Sequence, residues 1–254
     1  MKNLIYHYTS IDGLKGILQN DNINLWATRY NFLNDPFEFV FAKSIIEPKL
    51  AVLSLEEGKI FDSEMHMYPY IVSFCEVNDN LNMWKLYGNN GLGFILGFDK
   101  ELLYEHAQQE ANTLQKVSYS NNENLKDTIQ CTRNIYFKSK ESNNIIDYYD
   151  ICSLIKSDDY KHEHEIRYLI PNYDSFEFKK GEITRDGEDY RKTKFRHSHQ
   201  GLIPYMELKL PKSVLKSITI GYKLDYGNQK VSLEGLLSSY NYENIELYKS
   251  KFNI

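Results

Sequence analysis

The stretch MWKLYGNNGLGFILGFD, Met83–Asp99, decides the fold because it joins a helix, a tight turn and a buried strand in one short segment. The sequence predicts a helix over 79–87 with Asp79 as its N-cap, then a turn, then an apolar strand over 93–98. The ring of Tyr87, at the end of the helix, either packs in the core or offers a stacking platform to a planar ligand. Both interpretations stay open from the sequence.

Outward from this segment, apolar patterning predicts strands at 4–8, 23–27, 70–75, 116–119, 161–171, 205–210 and 214–221. Helices are predicted after a capping box at Thr9–Asp12, and at 39–53, 100–115, 124–137 and 142–156. Together these elements predict an α+β fold with split mixed or antiparallel β-sheets and flanking helices. We expect one domain over 1–254, with a charged hairpin insertion at about 176–200.

Composition limits the classes of function. The chain has 254 residues, 42% of them hydrophobic, and a formal net charge of -5 at pH 7. That charge excludes a general attraction to nucleic acid or to acidic membranes, so any polyanion needs a local basic patch. The cysteines Cys75, Cys131 and Cys152 include no CxxC pair, which argues against a disulfide framework. We expect a cytoplasmic protein without a membrane partner.

The block KHEHEIRY, Lys161–Tyr168, is the most informative short stretch. If it is a strand, Glu163, Glu165 and Arg167 share one face, because side chains alternate along a strand. On an exposed face, Arg167 would simply neutralise its acidic neighbours. In a cleft, the two carboxylates could hold sugar hydroxyls and stabilise positive charge.

Two shorter signals are weak on their own. His7 lies between tyrosines in the first strand, where a histidine is more often a hydrogen-bonded structural residue than a functional one. The segment Asn34–Glu38 is a turn by composition, with Asp35 and Glu38 as hydrogen-bond anchors.

The histidines also permit a metal site. His162 with His164 and His197 with His199 form two HxH pairs, which could together approach zinc or another transition metal. Such pairs arise easily by chance, and the second lies in a basic loop. The preferred prediction therefore includes no metal.

A local basic and aromatic patch lies within the predicted insertion. Arg191, Lys192, Lys194 and Arg196 alternate with Tyr190 and Phe195. This pattern suits phosphate contacts and base stacking, although a solvated hairpin face has the same composition.

The motifs and their order resemble those of one bacterial family. They are YHYTS at Tyr6–Ser10, LNDPFE at Leu33–Glu38, SFCE at Ser73–Glu76, MWKLYGNNGLGF at Met83–Phe94 and HEHEIR at His162–Arg167. From Tyr6 to about Ile218 the chain is thus similar to the family catalogued as domain of unknown function 2971. This resemblance implies a fold and site positions more than an activity.

A more distant resemblance, to ADP-ribosyltransferases of the diphtheria-toxin and poly(ADP-ribose) polymerase type, suggests an ADP-ribosyltransferase-like core. Those enzymes carry a strand histidine, a tyrosine on a helix leading into an apolar strand, and a late strand glutamate. His7, Tyr87 and Glu165 occur here in that order. The resemblance implies that His7 bonds NAD, that Tyr87 stacks on nicotinamide and that Glu165 stabilises an oxocarbenium-like transition state. Glu163 either competes with Glu165 for this central role or positions and deprotonates the acceptor.

The leading hypothesis is NAD-dependent ADP-ribosyl transfer to a protein or nucleic-acid acceptor, or NAD hydrolysis, in a toxin-like or phage-defence effector. By the resemblance, catalysis falls to Glu165, Glu163 and Tyr87, and NAD binding to His7, Tyr8, Thr9, Tyr87 and Arg167. The alternatives are a non-catalytic nucleotide- or nucleic-acid-binding module, and a metal-dependent hydrolase built on the HxH pairs.

Overall fold

The computed structural model describes residues 3–19, 21–35, 37–57, 68–110, 112–119, 148–171, 192–198 and 201–252. The helices are α1 (Ile11–Leu18), α2 (Glu38–Glu57), α3 (Leu81–Leu86), α4 (Lys100–Gln109), α5 (Tyr148–Cys152) and α6 (Tyr226–Ser239). The strands are β1 (Leu4–Thr9), β2 (Ile23–Arg29), β3 (Tyr70–Cys75), β4 (Phe94–Asp99), β5 (Thr113–Lys116), β6 (Ser118–Tyr119), β7 (Ile155–Lys156), β8 (Glu165–Ile170), β9 (Lys194–Ser198), β10 (Gly201–Leu210), β11 (Leu215–Ile220) and β12 (Glu246–Lys249).

Strand β3 is the junction of the large sheet. Along one edge it pairs antiparallel with β8, where Cys75 faces Glu165. Along the other edge it pairs with β2 at one end, where Tyr70 faces Arg29, and with β1 at the other end, where Cys75 faces Tyr6. The sheet therefore divides at β3 into a branch β1–β4–β11–β12 and a branch β2–β10–β9, while β8 continues to β5.

Pairing in this sheet is antiparallel, except that β12 runs parallel to β11; the small sheet β6–β7 is parallel. The prediction of a mixed α+β fold with several sheets and flanking helices is confirmed. Within the described ranges, no helix is long and apolar enough to cross a membrane.

Apolar clusters cover both faces of the large sheet. The largest packs α1, α4 and α6 against strand residues such as Val72 and Tyr168. A second cluster packs α2 and α5 against Ile71 and Leu169, which alternate with the first pair and so lie on the opposite face. A third cluster, around Trp84 of α3, lies at the end of β3 where Cys75 pairs with β1. The ligand-sized cleft described below lies between the second and third clusters.

The deciding segment folds largely as predicted, since α3 leads through a 3₁₀ turn at Asn89–Gly91 into β4. Its predicted N-cap was wrong, because Asn80 rather than Asp79 caps the helix by accepting from Asn82 N at 2.9 Å. Asp79 instead accepts from Nε1 of Trp84 at 2.6 Å and from Lys251 N, so it anchors the C-terminal segment to α3.

Two other boundaries differ from the predictions. The strand predicted over 161–171 begins only at Glu165, because Asp158–Glu163 forms a 3₁₀ turn that ends at His164 in the left-handed conformation. The helix predicted to run to residue 115 ends at Gln109, and β5 follows so that Leu114 can pair opposite Tyr168 of β8.

Other predictions fall where the structure describes little or nothing. The helix near 124–137, the first part of the helix predicted at 142–156 and most of the insertion at 176–200 lie outside the described residues. The part of the insertion that is described, β9, pairs antiparallel with β10.

Candidate functional site

A cleft of about 360 Å³ lies over the junction of β1, β3 and β8. It is lined by Tyr6, His7, Tyr8, Leu33, Asn34, Asp35, Glu38, Ser73, Phe74, Cys75, Met83, Tyr87, Lys156, Tyr160, Glu163, Glu165 and Arg167. The structure thus brings together every residue assigned a catalytic or NAD-binding role from the sequence except Thr9. Segments far apart in the sequence converge here, and the volume falls within the range of small-molecule sites.

Arg167 is the fixed centre of the cleft floor. Its side chain is 1% exposed, and it forms a bidentate pair with Glu165, at 2.8 and 3.0 Å. It forms a second bidentate pair with Glu38, at 2.5 and 3.1 Å, and donates to the Ser153 carbonyl at 2.5 Å. These contacts use all five guanidinium N–H donors, so Arg167 orients the two carboxylates and has no donor left for a ligand.

Lys156 bridges the same carboxylates from β7. Its ammonium donates to Glu163 at 2.5 Å and to Glu165 at 3.1 Å, and lies 3.6 Å from Glu38. Burial would lower its pKa, but the charges of Glu165, Glu38 and Glu163 outweigh burial and the repulsion from Arg167, and the pKa is raised. Lys156 therefore stays a cation at neutral pH and keeps three acidic side chains together.

The cluster of Glu38, Glu163, Glu165, Lys156 and Arg167 holds three carboxyl groups and two cations, a formal excess of one negative charge. Each of the five side chains is no more than 7% exposed. The burial of Glu165 by itself would raise its pKa, but Arg167 and Lys156 lower the pKa to about 2. The charge of Glu165 is thus retained in a poorly solvated place, where it acts strongly on a nearby cation.

Tyr87 closes one side of the cleft at the C-cap of α3. Its hydroxyl donates to Oε1 of Glu163 at 2.7 Å, while the residue as a whole stays 36% exposed. Burial of the hydroxyl and the charge of Glu163 raise the pKa of Tyr87, so it remains a neutral donor. The ring lines the cleft and the hydroxyl holds a carboxylate, which are two separate contributions.

His7 lies in the gap where β1 parts from β3. Its Nδ1 lies 3.0 Å from the Ser73 carbonyl, which can only accept, so Nδ1 carries the proton and Nε2 is an acceptor in the neutral ring. Burial lowers the pKa of His7, against the effect of the hydrogen bond to Ser73. A neutral histidine with an acceptor nitrogen therefore lines the cleft.

Tyr8 and Thr9 contribute mainly to the scaffold. The Tyr8 hydroxyl donates to the Val77 carbonyl at 3.2 Å and accepts from Asn80 N at 2.9 Å, and its ring packs edge-on against Trp84. Thr9 is buried at the end of β1 and does not line the cleft. Of the predicted NAD-binding residues, His7 and Tyr87 offer ligand contacts most directly.

The predicted faces of the Lys161–Tyr168 block need one correction. Glu163 does not share a strand face with Glu165, because it ends the 3₁₀ turn and a left-handed His164 follows. Glu163 joins the same ion cluster from the end of the 3₁₀ turn, where its carboxylate accepts from Lys156. The two carboxylates are also buried and line the cleft, rather than lying on a solvated edge.

The HxH pairs are not assembled by the described residues. His162 and His164 are both exposed, and the Nδ1 of His162 meets the Asp159 carbonyl at 3.1 Å. His197 is exposed on β9, and His199 lies outside the described residues. Among the side chains that the structure places, no three His, Cys, Asp or Glu residues group as a metal site.

Sequence reasoning missed Lys156 and understated Glu38. Lys156 follows the apolar run Leu154–Ile155, and a buried lysine there leaves no motif. Glu38 was assigned only a hydrogen-bonding role in a turn, although it is 4% exposed and pairs with Arg167. Both residues are recognised by the burial of a charged side chain, and that burial can be seen only once the fold is known.

Together the fold and the cleft define a mixed α+β protein with a cleft whose floor is a buried, charge-rich cluster. Residues 83–168, about a third of the chain, match the family model described as "Protein of unknown function (DUF2971)". The matched part runs from α3 to β8 and contains Tyr87, Lys156, Glu163, Glu165 and Arg167. No curated protein and no solved structure matches the chain.

Proposed function

We propose that the cleft binds NAD, breaks the bond between nicotinamide and ribose, and transfers ADP-ribose to a macromolecular acceptor or to water. The observation that carries this proposal is the ionised, doubly held carboxylate of Glu165 in a buried cluster with an excess of negative charge. A cation is the species that such a cluster stabilises best.

The charge requirement of the reaction fits this arrangement. When the C1′–N bond breaks, its electron pair leaves with nicotinamide, and positive charge develops on the ribose. A carboxylate that is already oriented, in a poorly solvated cleft, stabilises that charge more than mobile water does. Arg167 and Lys156 act as positioning residues for Glu165, because they fix its two oxygens before substrate enters.

Glu163 suits the acceptor half of the reaction. The new bond forms between C1′ and an acceptor oxygen, whose proton must pass to a base. Glu163 lines the same cleft as Glu165, and Tyr87 and Lys156 orient its carboxylate. We assign to Glu163 the positioning and deprotonation of the acceptor.

His7 and Tyr87 suit recognition of the nicotinamide riboside part. The acceptor Nε2 of neutral His7 matches a ribose hydroxyl or a carboxamide N–H. The partly exposed ring of Tyr87 offers a face for the planar nicotinamide. The distant resemblance to ADP-ribosyltransferases supports the same two roles.

The test is nicotinamide release from NAD by the purified protein, with and without bacterial cell extract as a source of acceptor. Glu165→Gln keeps the shape and removes the charge, so release should fall by about 100-fold or more. Glu234→Gln, at a solvated position on α6, is the matched control and should retain full activity. Thermal unfolding of each variant separates lost chemistry from lost folding.

Absence of release by the wild type, with no calorimetric binding of NAD, would overturn the proposal. Release that survives in a folded Glu165→Gln variant would remove Glu165 from its central role. Wild-type release that rises on addition of extract would indicate transfer to a macromolecular acceptor, whereas release that extract does not change would indicate hydrolysis.

A further inference from the structure

A second surface, away from the cleft, combines an exposed indole with cations. Strand register places its members on one face of the β2–β10–β9 branch, since directly paired residues point to the same side. Trp26 faces Glu207, Lys194 faces Tyr205, and Arg196 faces Ile203. We call Trp26, Tyr205, Lys194, Arg196 and Lys209 the β2–β10 surface.

The aromatic part of this surface is a supported platform. Trp26 is 47% exposed, although an indole is costly to leave in water. Its ring lies on that of Tyr205, with 4.6 Å between centroids and a tilt of 33°. Tyr205 is itself buried, so the indole is held in place from one side while part of its surface stays accessible.

The charged part of the surface consists of Arg196, Lys194 and Lys209. The guanidinium of Arg196 lies 5.9 Å from the Trp26 ring, and its Nη2 donates to Thr28 at 3.0 Å. Lys194 pairs with Glu207 at 2.7 Å, and Lys209 is exposed on the same face. Among the described residues of this face, three cations stand against one carboxylate, so this part of a chain with net charge -5 is locally positive.

We propose that the β2–β10 surface binds single-stranded nucleic acid. An accessible indole stacks on the face of any unpaired base, and nearby cations contact the phosphates that connect the bases. A duplex hides the base faces and would satisfy only the cations. The combination of platform and cations on one face therefore selects the single strand.

This surface lies on the same side of the sheet as the cleft. Trp26 and Thr28 alternate onto one face, Thr28 pairs with Ile71 of β3, and Ser73, two residues further on, pairs with Arg167. Binding at the β2–β10 surface goes beyond the proposed chemistry and does not depend on it.

The experiment is titration of the protein with a labelled single-stranded oligonucleotide and with the matching duplex, followed by fluorescence anisotropy at several salt concentrations. We expect the single strand to bind more tightly, with a salt slope of no more than about 2, since each neutralised phosphate contributes about 0.7. Trp26→Ala should weaken binding by about tenfold. Tyr104→Ala, at another exposed aromatic residue, is the matched control and should bind as the wild type does.

The two tryptophans give an independent readout. Trp84 is fully buried, so quenching of selectively excited tryptophan fluorescence on binding is assigned to Trp26. Trp26→Phe keeps an aromatic platform and should still bind, without the quenching. Equal affinity for duplex and single strand, unchanged binding by a folded Trp26→Ala variant, or no binding at low salt would overturn the proposal, whatever the outcome with NAD.

Discussion

The hydroxyl of Tyr87 donates a 2.7 Å hydrogen bond to Oε1 of Glu163, which ties the end of α3 to the turn before β8. Oε2 of the same carboxylate accepts from Lys156 at 2.5 Å. Both oxygens of Glu163 are therefore held in place without a ligand. The cleft is organised in advance, and its organisation depends on residues far apart in the chain.

Tyr87→Phe should separate the two contributions of this side chain. The ring that lines the cleft remains, so the KM for NAD should change by less than about twofold. The lost hydrogen bond to a carboxylate is worth about 1.5 kcal/mol or more, so kcat should fall by roughly tenfold. Steady-state nicotinamide release measures both constants, and Tyr104→Phe, away from the cleft, is the control. A raised KM with unchanged kcat would show that the hydroxyl serves binding instead.

Lys156→Met should destabilise the fold strongly at neutral pH. It leaves three buried carboxyl groups around a single guanidinium, and breaking a buried pair in this way costs about 3–5 kcal/mol. Urea denaturation measures the free energy of unfolding, with Lys230→Met, at a 46% exposed side chain, as the control that should change it by less than about 0.5 kcal/mol.

The pH dependence of the stability lost in Lys156→Met shows whether charge or packing causes the loss. Protonation of a carboxyl group relieves the repulsion that the missing ammonium leaves behind, so the difference from the wild type should shrink between pH 7 and about pH 4.5. A difference that stays constant with pH would mean that lost packing, rather than charge, destabilises the variant.

Helices and strands were predicted well from the sequence where the residues that determine them lie within one short segment. The helix after β1, strand β3 and the helix, turn and strand from Met83 to Asp99 all follow from apolar spacing and turn residues. The 3₁₀ turn before β8 could not be predicted from such patterns, because the strand-like alternation of side chains in Lys161–Tyr168 continues across it. The left-handed backbone at His164, which ends that alternation, has no reliable sequence signature.

The site was predictable only in part, for a related reason. His7, Tyr87 and Glu165 were chosen by a distant resemblance, and the structure places all three at the cleft, whereas Lys156 belongs to no motif. Its importance comes from tertiary geometry, since β7 brings it within 3.1 Å of Glu165 on β8. A charge balance of this kind becomes visible only when the partners are seen together.

The ion cluster should make the protein sensitive to acid through Glu165. Its pKa is about 2 in the folded chain, below the ordinary value of about 4.3 that holds after unfolding. The stabilisation is complete above the unfolded value and is lost as the pH falls toward 2, and it amounts to something on the order of 3 kcal/mol. Glu165→Gln should show a flatter stability curve in this range. An equal slope in the variant would place the acid-sensitive group elsewhere.

His7 should respond to pH in a different range. Burial lowers its pKa in the folded chain, so below pH 6.5 the unfolded state takes up a proton that the folded state still resists. Stability should therefore decline as the pH falls from 6.5 toward the folded pKa, and His7→Phe should lack this part of the decline.

The ring signals of His7 followed by NMR, assigned by their absence in His7→Phe, should titrate below pH 6.5. Protonation also removes the Nε2 acceptor, so the affinity for NAD measured by calorimetry should fall over the same interval and stay constant above pH 7. A His7 ring that titrates at or above 6.5 would contradict the buried, neutral state, and with it the assigned contact to the ribose or carboxamide.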